Sequence, residues 1–194
     1  MLKKTIWHYF LNNKDNRIKF HVLQIYFSKY IFLACVCFFI IFVSRFFIIS
    51  PGTVNGKSME PTYLDNNLFL VNKFIYLLHP PHRYDVAQII DTKEDKLIIK
   101  RIIGLPGEIV IIKRGRIYIQ KDNNSPEVLL DELNYLSPNT YTQVHMQKGV
   151  AKFFVGSGQY FVVGDNRRNS VDSRFYGPIL RSKIIGKVIE FKND

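Results

Sequence analysis

The chain has 194 residues, 47% of them hydrophobic, and a formal net charge of +11. That apolar content suffices for one sizeable core with a small subdomain, and the absence of repeats and low-complexity tracts excludes a repeat array or an extended linker. The positive charge fits contact with anionic lipid or with nucleic acid.

In chain order, residues 1–30 come first and hold six Lys or Arg against one Asp. The run "IFLACVCFFIIFVSRFFII", residues 31–49, follows directly. At about 1.5 Å of rise per residue it nearly crosses a hydrocarbon core of roughly 30 Å. Ser44 and Arg45 interrupt its far end, where Arg45 is placed to snorkel to the interface. "SPG" at 50–52 is expected to stop the helix. The run is too hydrophobic all round for a soluble amphipathic helix. The long basic leader and the lack of a small-x-small site argue against a cleaved signal peptide. The segment is therefore expected to be an uncleaved transmembrane anchor. The basic residues before it predict a cytoplasmic tail, 1–30, and an outward-facing part, 50–194. Cys35 and Cys37 lie inside the span and read as apolar filler.

The outer part reads as β-rich. "NLFLVNKFIYLL", "RYDVAQII", "KLIIKRII", "EIVIIKRGRIYIQ", "QYFVVGD" and "GKVIEF" are apolar or alternating runs separated by Gly, Pro and Asn clusters. Gly115 between two strand-like halves suggests a hairpin. Residues 121–150 are more polar, without clear periodicity, and read as an insertion or small lobe on the sheet. The expected fold is mainly β: a partly open barrel or two antiparallel sheets behind one N-terminal transmembrane helix.

Chemistry enters at "VNGKSMEPTY", residues 54–63. Ser58 is either a turn residue or a nucleophile, and a nucleophile needs a base. His8 and His21 precede the span, His79 and His82 flank a Pro-Pro loop, and His145 lies in the polar insertion. None has metal-ligand spacing, and no Walker-type phosphate loop appears. Lys100, in "DKLIIKRIIGLPGE", offers an alternative. By period-two alternation Ile98, Lys100 and Ile102 share one face of a strand, and Ile99, Arg101 and Ile103 the other. Either one cation points toward something buried, or the strand is an edge with solvated cations. A free lysine is almost wholly protonated at pH 7, with a pKa of about 10.4. Burial against apolar atoms lowers that value and frees the amine to take a serine proton. A third stretch, "GDNRRNSVDSRFYGPI", is densely polar and follows an apolar strand, where a rigid scaffold can hold site residues.

Three of these segments, "GKSMEPT", "IKRIIGLPGE" and "GDNRRNSVDSR", resemble the sequence boxes of the bacterial type I signal peptidases. The likeness covers residues 30–190 and rests on the order and spacing of all three. It implies a membrane-bound serine–lysine endopeptidase that removes signal peptides from secreted precursors, without metal or cofactor. By position Ser58 matches the nucleophile and Lys100 the general base. Ser170 would hydrogen-bond and orient that lysine. Asp165, Asp172, Arg174 and Arg101 would form ionic support beneath the site. Met59, Val54, Tyr63 and Ile99 would line the substrate pockets, which in this family take small residues before the cut. The implied partners are secretory precursors, membrane lipid and the nearby translocon, not nucleic acid. The implied location is the bacterial plasma membrane, single-pass, with the catalytic part extracytoplasmic.

The sequence departs from the pattern in places. Gly56 replaces a serine that serves the oxyanion in some members, so the hole must use the Ser58 backbone N–H and a further donor. Tyr63 stands where Leu is usual, and it either narrows the pocket or packs on the sheet. A lysine in the second box excludes the endoplasmic-reticulum type, which has histidine there. The competing readings are a specialised peptidase of one secretion or conjugation system, and a non-enzymatic, membrane-tethered basic binding protein.

Overall fold

The computed structural model describes residues 14–43, 48–92, 95–144 and 149–189. The chain divides into two compact units, Met1–Phe46 and Phe47–Asp194. In the first, helix α1 spans Lys14–Val43, 30 residues without Pro or Gly and about 45 Å long. Its stretch His21–Val43, with mean hydropathy 2.2, is long and apolar enough to cross a membrane. The helix starts earlier than the apolar run because nothing in residues 14–30 breaks it. Ser44 and Arg45 lie outside the described residues.

Ile49, expected to close the helix, instead opens strand β1, Ile49–Thr53. Pro51, read as a helix stop, sits inside this strand. β1 lies at the edge of its sheet, where a residue without an N–H breaks no inner ladder.

The second unit is mainly β, as expected. A seven-stranded antiparallel sheet has the order β1-β2-β11-β3-β4-β9-β10. Its other members are β2, Leu68–Asn72; β3, Val86–Ile90; β4, Leu97–Gly104; β9, Gln159–Val163; β10, Ile179–Leu180; and β11, Ile184–Ile189. The register slips at Ile102/Gly104 against β9 and at Ile184/Gly186 against β3. Such bulges add local twist and bend the sheet. A second, four-stranded sheet has the order β7-β6-β5-β8. It contains β5, Ile109–Lys113; β6, Arg116–Gln120; β7, Val128–Leu129; and β8, Val150–Phe154. β5 and β6 form the expected hairpin, with Arg114 at φ 50° and Gly115 at φ 74°. A two-residue turn with both φ positive matches strand twist. A side chain at Gly115 would also strike the Tyr141 ring, whose nearest atom is 2.2 Å from the Cβ position.

Among the described residues the unit also holds two one-turn α-helices, α2 at Ile75–Leu78 and α3 at Ser173–Tyr176, and a 3-10 turn at Arg181–Lys183. Three apolar clusters form its core. One joins both sheets through Ile103, Val110, Ile117 and Phe161. A second gathers Val54, Met59, Tyr63, Phe69 and Ile99. The third holds Ile89, Ile102, Val162 and Ile184, with Ile98 against it. The alternation along β4 thus holds: Ile98 and Ile102 share one cluster, and Ile99 and Ile103 fall in the other two. β4 is an inner strand between β3 and β9, so the edge-strand reading of Lys100 and Arg101 is overturned. The two residues are 3% and 8% exposed. Of the segment 121–150, residues 121–144 and 149–150 are described, and its regular structure is β7 and the start of β8.

Candidate active site

Ser58 lies in the loop that joins β1 to β2, and Lys100 lies in the middle of β4. The two are 42 residues apart in sequence, yet Lys100 Nζ sits 2.6 Å from Ser58 Oγ. The serine is half-buried and the lysine buried. Desolvation is the dominant influence on Lys100 and holds its pKa below the ordinary lysine value. Asp172, Asp91 and Asp165 act in the opposite direction, while Arg174 adds to the lowering. A buried amine at hydrogen-bond distance from a hydroxyl is the arrangement that general-base activation of serine requires. His79 and His82 are exposed, and His8 and His145 lie outside the described residues.

The third box supports this pair from below. β9 runs into Gly164, and the chain then turns tightly before α3. Asp172 caps α3 by accepting the Arg174 N–H at 3.2 Å. The same carboxylate takes Arg174 Nε at 2.8 Å and Nη2 at 2.7 Å. It also accepts the Gly164 N–H at 2.9 Å. Ser170, expected to hydrogen-bond Lys100, donates its hydroxyl to Asp172 at 2.8 Å. Asp172 draws that proton because it is a fully buried carboxylate two residues along the chain. Asp165 receives Arg101 in a bidentate pair, 2.8 Å from Nε and 2.6 Å from Nη2. It also accepts the Thr62 hydroxyl at 2.6 Å, which ties the support to the serine loop. Burial is the largest single influence on Arg101 and opposes its cation, but the hydrogen bonds and charge of Asp165, with Tyr135 and Tyr63, together raise the pKa.

A cleft of about 230 Å³ opens beside Ser58. Val54, Asn55, Phe69, Gln88, Ile98 and Ile99 are among its walls. Val54 and Ile99, expected as pocket residues, both line this cleft. Met59 and Tyr63 do not line this cleft. They are 0% and 6% exposed and belong to the apolar cluster with Val54 and Ile99. In this structure they lie behind Val54 and Ile99 and not on the cleft surface where they were expected. Gly56, at φ 92°, donates its N–H to Asp65 at 2.7 Å.

Residues 25–191 match the profile of the family described as signal peptidase, peptidase S26. The chain belongs to this family. It is 37% identical over 139 residues to signal peptidase I V of Bacillus subtilis (strain 168), covering 70% of this chain and 80% of that one. It is 34% identical over 145 residues to signal peptidase I of Bacillus caldolyticus, covering 74% and 79%. A crystal structure of a signal peptidase I from Enterococcus faecalis V583 superposes with TM-score 0.43 and 28% identity, over 57% of this chain and 98% of that one. Membership makes the protein a peptidase.

Sequence reasoning missed part of this peptidase's site. Asn166 donates its backbone N–H to the Ser58 carbonyl at 3.0 Å and its side-chain amide to the Lys57 carbonyl at 3.0 Å. Thr62 joins the Asp165 group. Glu132, Tyr135 and Thr142 reach the buried arginines from the segment read as an insertion. Thr62 and Asn166 lie inside the first and third boxes and were within reach of sequence reasoning. The other three carry no periodic or motif signal.

Proposed function

We propose that this peptidase is a membrane-anchored serine endopeptidase that removes signal peptides from secreted precursors, with Ser58 as nucleophile and Lys100 as general base. The observation that carries the reading is the 2.6 Å approach of Lys100 Nζ to Ser58 Oγ, with the lysine 3% exposed.

The neutral amine takes the Ser58 hydroxyl proton as Oγ adds to the scissile carbonyl. The Ser58 backbone N–H is one donor for the resulting oxyanion. The intermediate collapses, the C–N bond breaks, and the Lys100 ammonium gives its proton to the departing amine. A water, deprotonated by the same lysine, then hydrolyses the Ser58 ester and releases the signal peptide as a carboxylate. One residue serves as base and acid in turn. Asp165 with Arg101, and Asp172 with Arg174, hold the support. The cleft walled by Val54 and Ile99 suits small side chains before the cut, because its volume is modest and its lining partly apolar.

In this reading α1 spans the plasma membrane with its basic N-terminal flank inside and residues 50–194 outside. The nucleophile then works at the membrane surface, where an exported signal peptide presents its cleavage site. The test is incubation of the detergent-solubilised full chain with a secretory precursor beside Ser58→Ala and Lys100→Ala. Each variant is expected to lose cleavage, and the double variant to be no worse, because members of one catalytic unit are not additive. Near-normal turnover by either single variant would overturn the assignment.

A further inference from the structure

Residues 131–143 join β7 to the later part of the second sheet and lie against three arginines of the polar support. Tyr135 places its ring over the Arg101 guanidinium, 4.0 Å from centroid to Cζ. Its hydroxyl donates to Glu132 Oε1 at 2.7 Å. Glu132 accepts Arg167 Nη1 at 3.2 Å and pairs with Nη2. Arg167, with its side chain 1% exposed, also donates to the buried Thr142 hydroxyl at 2.7 Å and to the Gly164 carbonyl at 3.2 Å. Arg174 Nη1 reaches the Gln143 carbonyl at 3.3 Å.

We propose that Glu132 is a positioning residue for the Ser58 loop, acting through Arg167, with Tyr135 orienting its carboxylate. The inference rests on the catalytic reading above and extends it to a segment outside the three boxes. The chain of contacts is continuous. Glu132 neutralises Arg167. Arg167 clamps the Gly164 carbonyl at the head of the third box. Two residues on, Asn166 holds the Ser58 and Lys57 carbonyls. Without the Glu132 charge, the buried guanidinium is left competing for Asp165, which Arg101 and Thr62 already occupy. A buried cation deprived of its partner is costly. Relief comes by moving the loop, and misplacement of a nucleophile by about 1 Å costs on the order of a hundredfold in rate.

The test is kinetic, on the solubilised full chain and one secretory precursor, with Ser58→Ala alongside. Glu132→Gln is expected to lower kcat roughly tenfold or more with KM within about twofold, since the 230 Å³ cleft has no wall from this segment. Glu132→Asp, which keeps the charge, is expected to recover most of the rate. Tyr135→Phe keeps the ring over Arg101 but removes the hydrogen bond to Glu132, and is expected to fall between. Glu127→Gln, which breaks the more exposed pair with Lys113 on the same lobe, is expected to match the parent. Glu132→Gln with parental kcat, or a loss that Glu132→Asp does not restore, overturns the proposal. If Glu132→Gln does not fold, the Tyr135→Phe and Glu132→Asp rates decide: parental kcat in Tyr135→Phe overturns it. Failure of the parent itself to cleave, or cleavage by Ser58→Ala, rejects the catalytic reading instead.

Discussion

The Asn166 N–H donates to the Ser58 carbonyl oxygen at 3.0 Å, so the third box grips the main chain of the residue that bears the candidate nucleophile. The approach is possible because residue 164 is glycine. A Cβ there would lie 2.5 Å from the Ser58 carbonyl oxygen and 2.2 Å from Ser170 Oγ. The serine loop, the lysine strand and the polar box meet at this point without a side chain to spare.

Gly164→Ala is therefore expected to be a severe variant. The methyl group meets a backbone oxygen and a buried hydroxyl already bonded to Asp172, neither of which can yield freely. Displacement of Ser58 by several tenths of an ångström should lower kcat by tenfold or more, on the order expected for a misaligned nucleophile. Kinetics of the purified variant, with its melting temperature, would show it. Parental turnover would mean that the loop absorbs the methyl elsewhere.

Cleavage is expected to rise with pH. Lys100 must be neutral to accept the Ser58 proton, and burial lowers its pKa below the ordinary lysine value. The acid form is inactive, so the rate climbs as pH passes the folded-state pKa and levels above it. Asp172, Asp91 and Asp165 restrain the lowering, so Asp172→Asn should move the midpoint to lower pH wherever the variant still folds. A rate that is flat from pH 5 to 9 would exclude a lysine base.

Tyr63→Leu is expected to leave specificity unchanged. The ring is buried with Met59 behind a cleft walled by Val54, Phe69 and Ile99, so a side chain entering that cleft is expected to meet those residues instead. The cost should appear as stability, roughly 1–3 kcal/mol for an altered core side chain. Matched precursors differing only at the residue before the cut would be cleaved in the same ratio by both proteins. A changed ratio would place the phenol in contact with substrate.

Protease added to intact spheroplasts is expected to reach the β unit. The basic residues flank the span on its N-terminal side, and such flanks stay in the cytoplasm. Protection of the C-terminal fragment until lysis would reverse this orientation.

The sequence by itself determined the classes of structure. An unbroken apolar run means a helix fit for lipid, and alternating short runs mean strands, because burial follows the backbone's own period. Period two placed Ile98 with Ile102 and set Ile99 and Ile103 apart from them. The hairpin was legible at Gly115, because a positive φ favours glycine there. Ser58 and Lys100 were legible as candidates because a lysine among isoleucines is chemically anomalous. The tertiary structure alone decided what local pattern does not encode. Pro51 looked like a helix stop and became an edge-strand residue, since sheet position depends on which strands pair. Ser170 donates to Asp172, a bond between buried groups that the sequence pattern does not reveal. Tyr63 went into the core because its ring joins the apolar cluster of Val54, Met59 and Phe69. Glu132 and Tyr135 gave no signal, because their roles arise from buried arginines far along the chain, and long-range charge pairing leaves no period in the sequence.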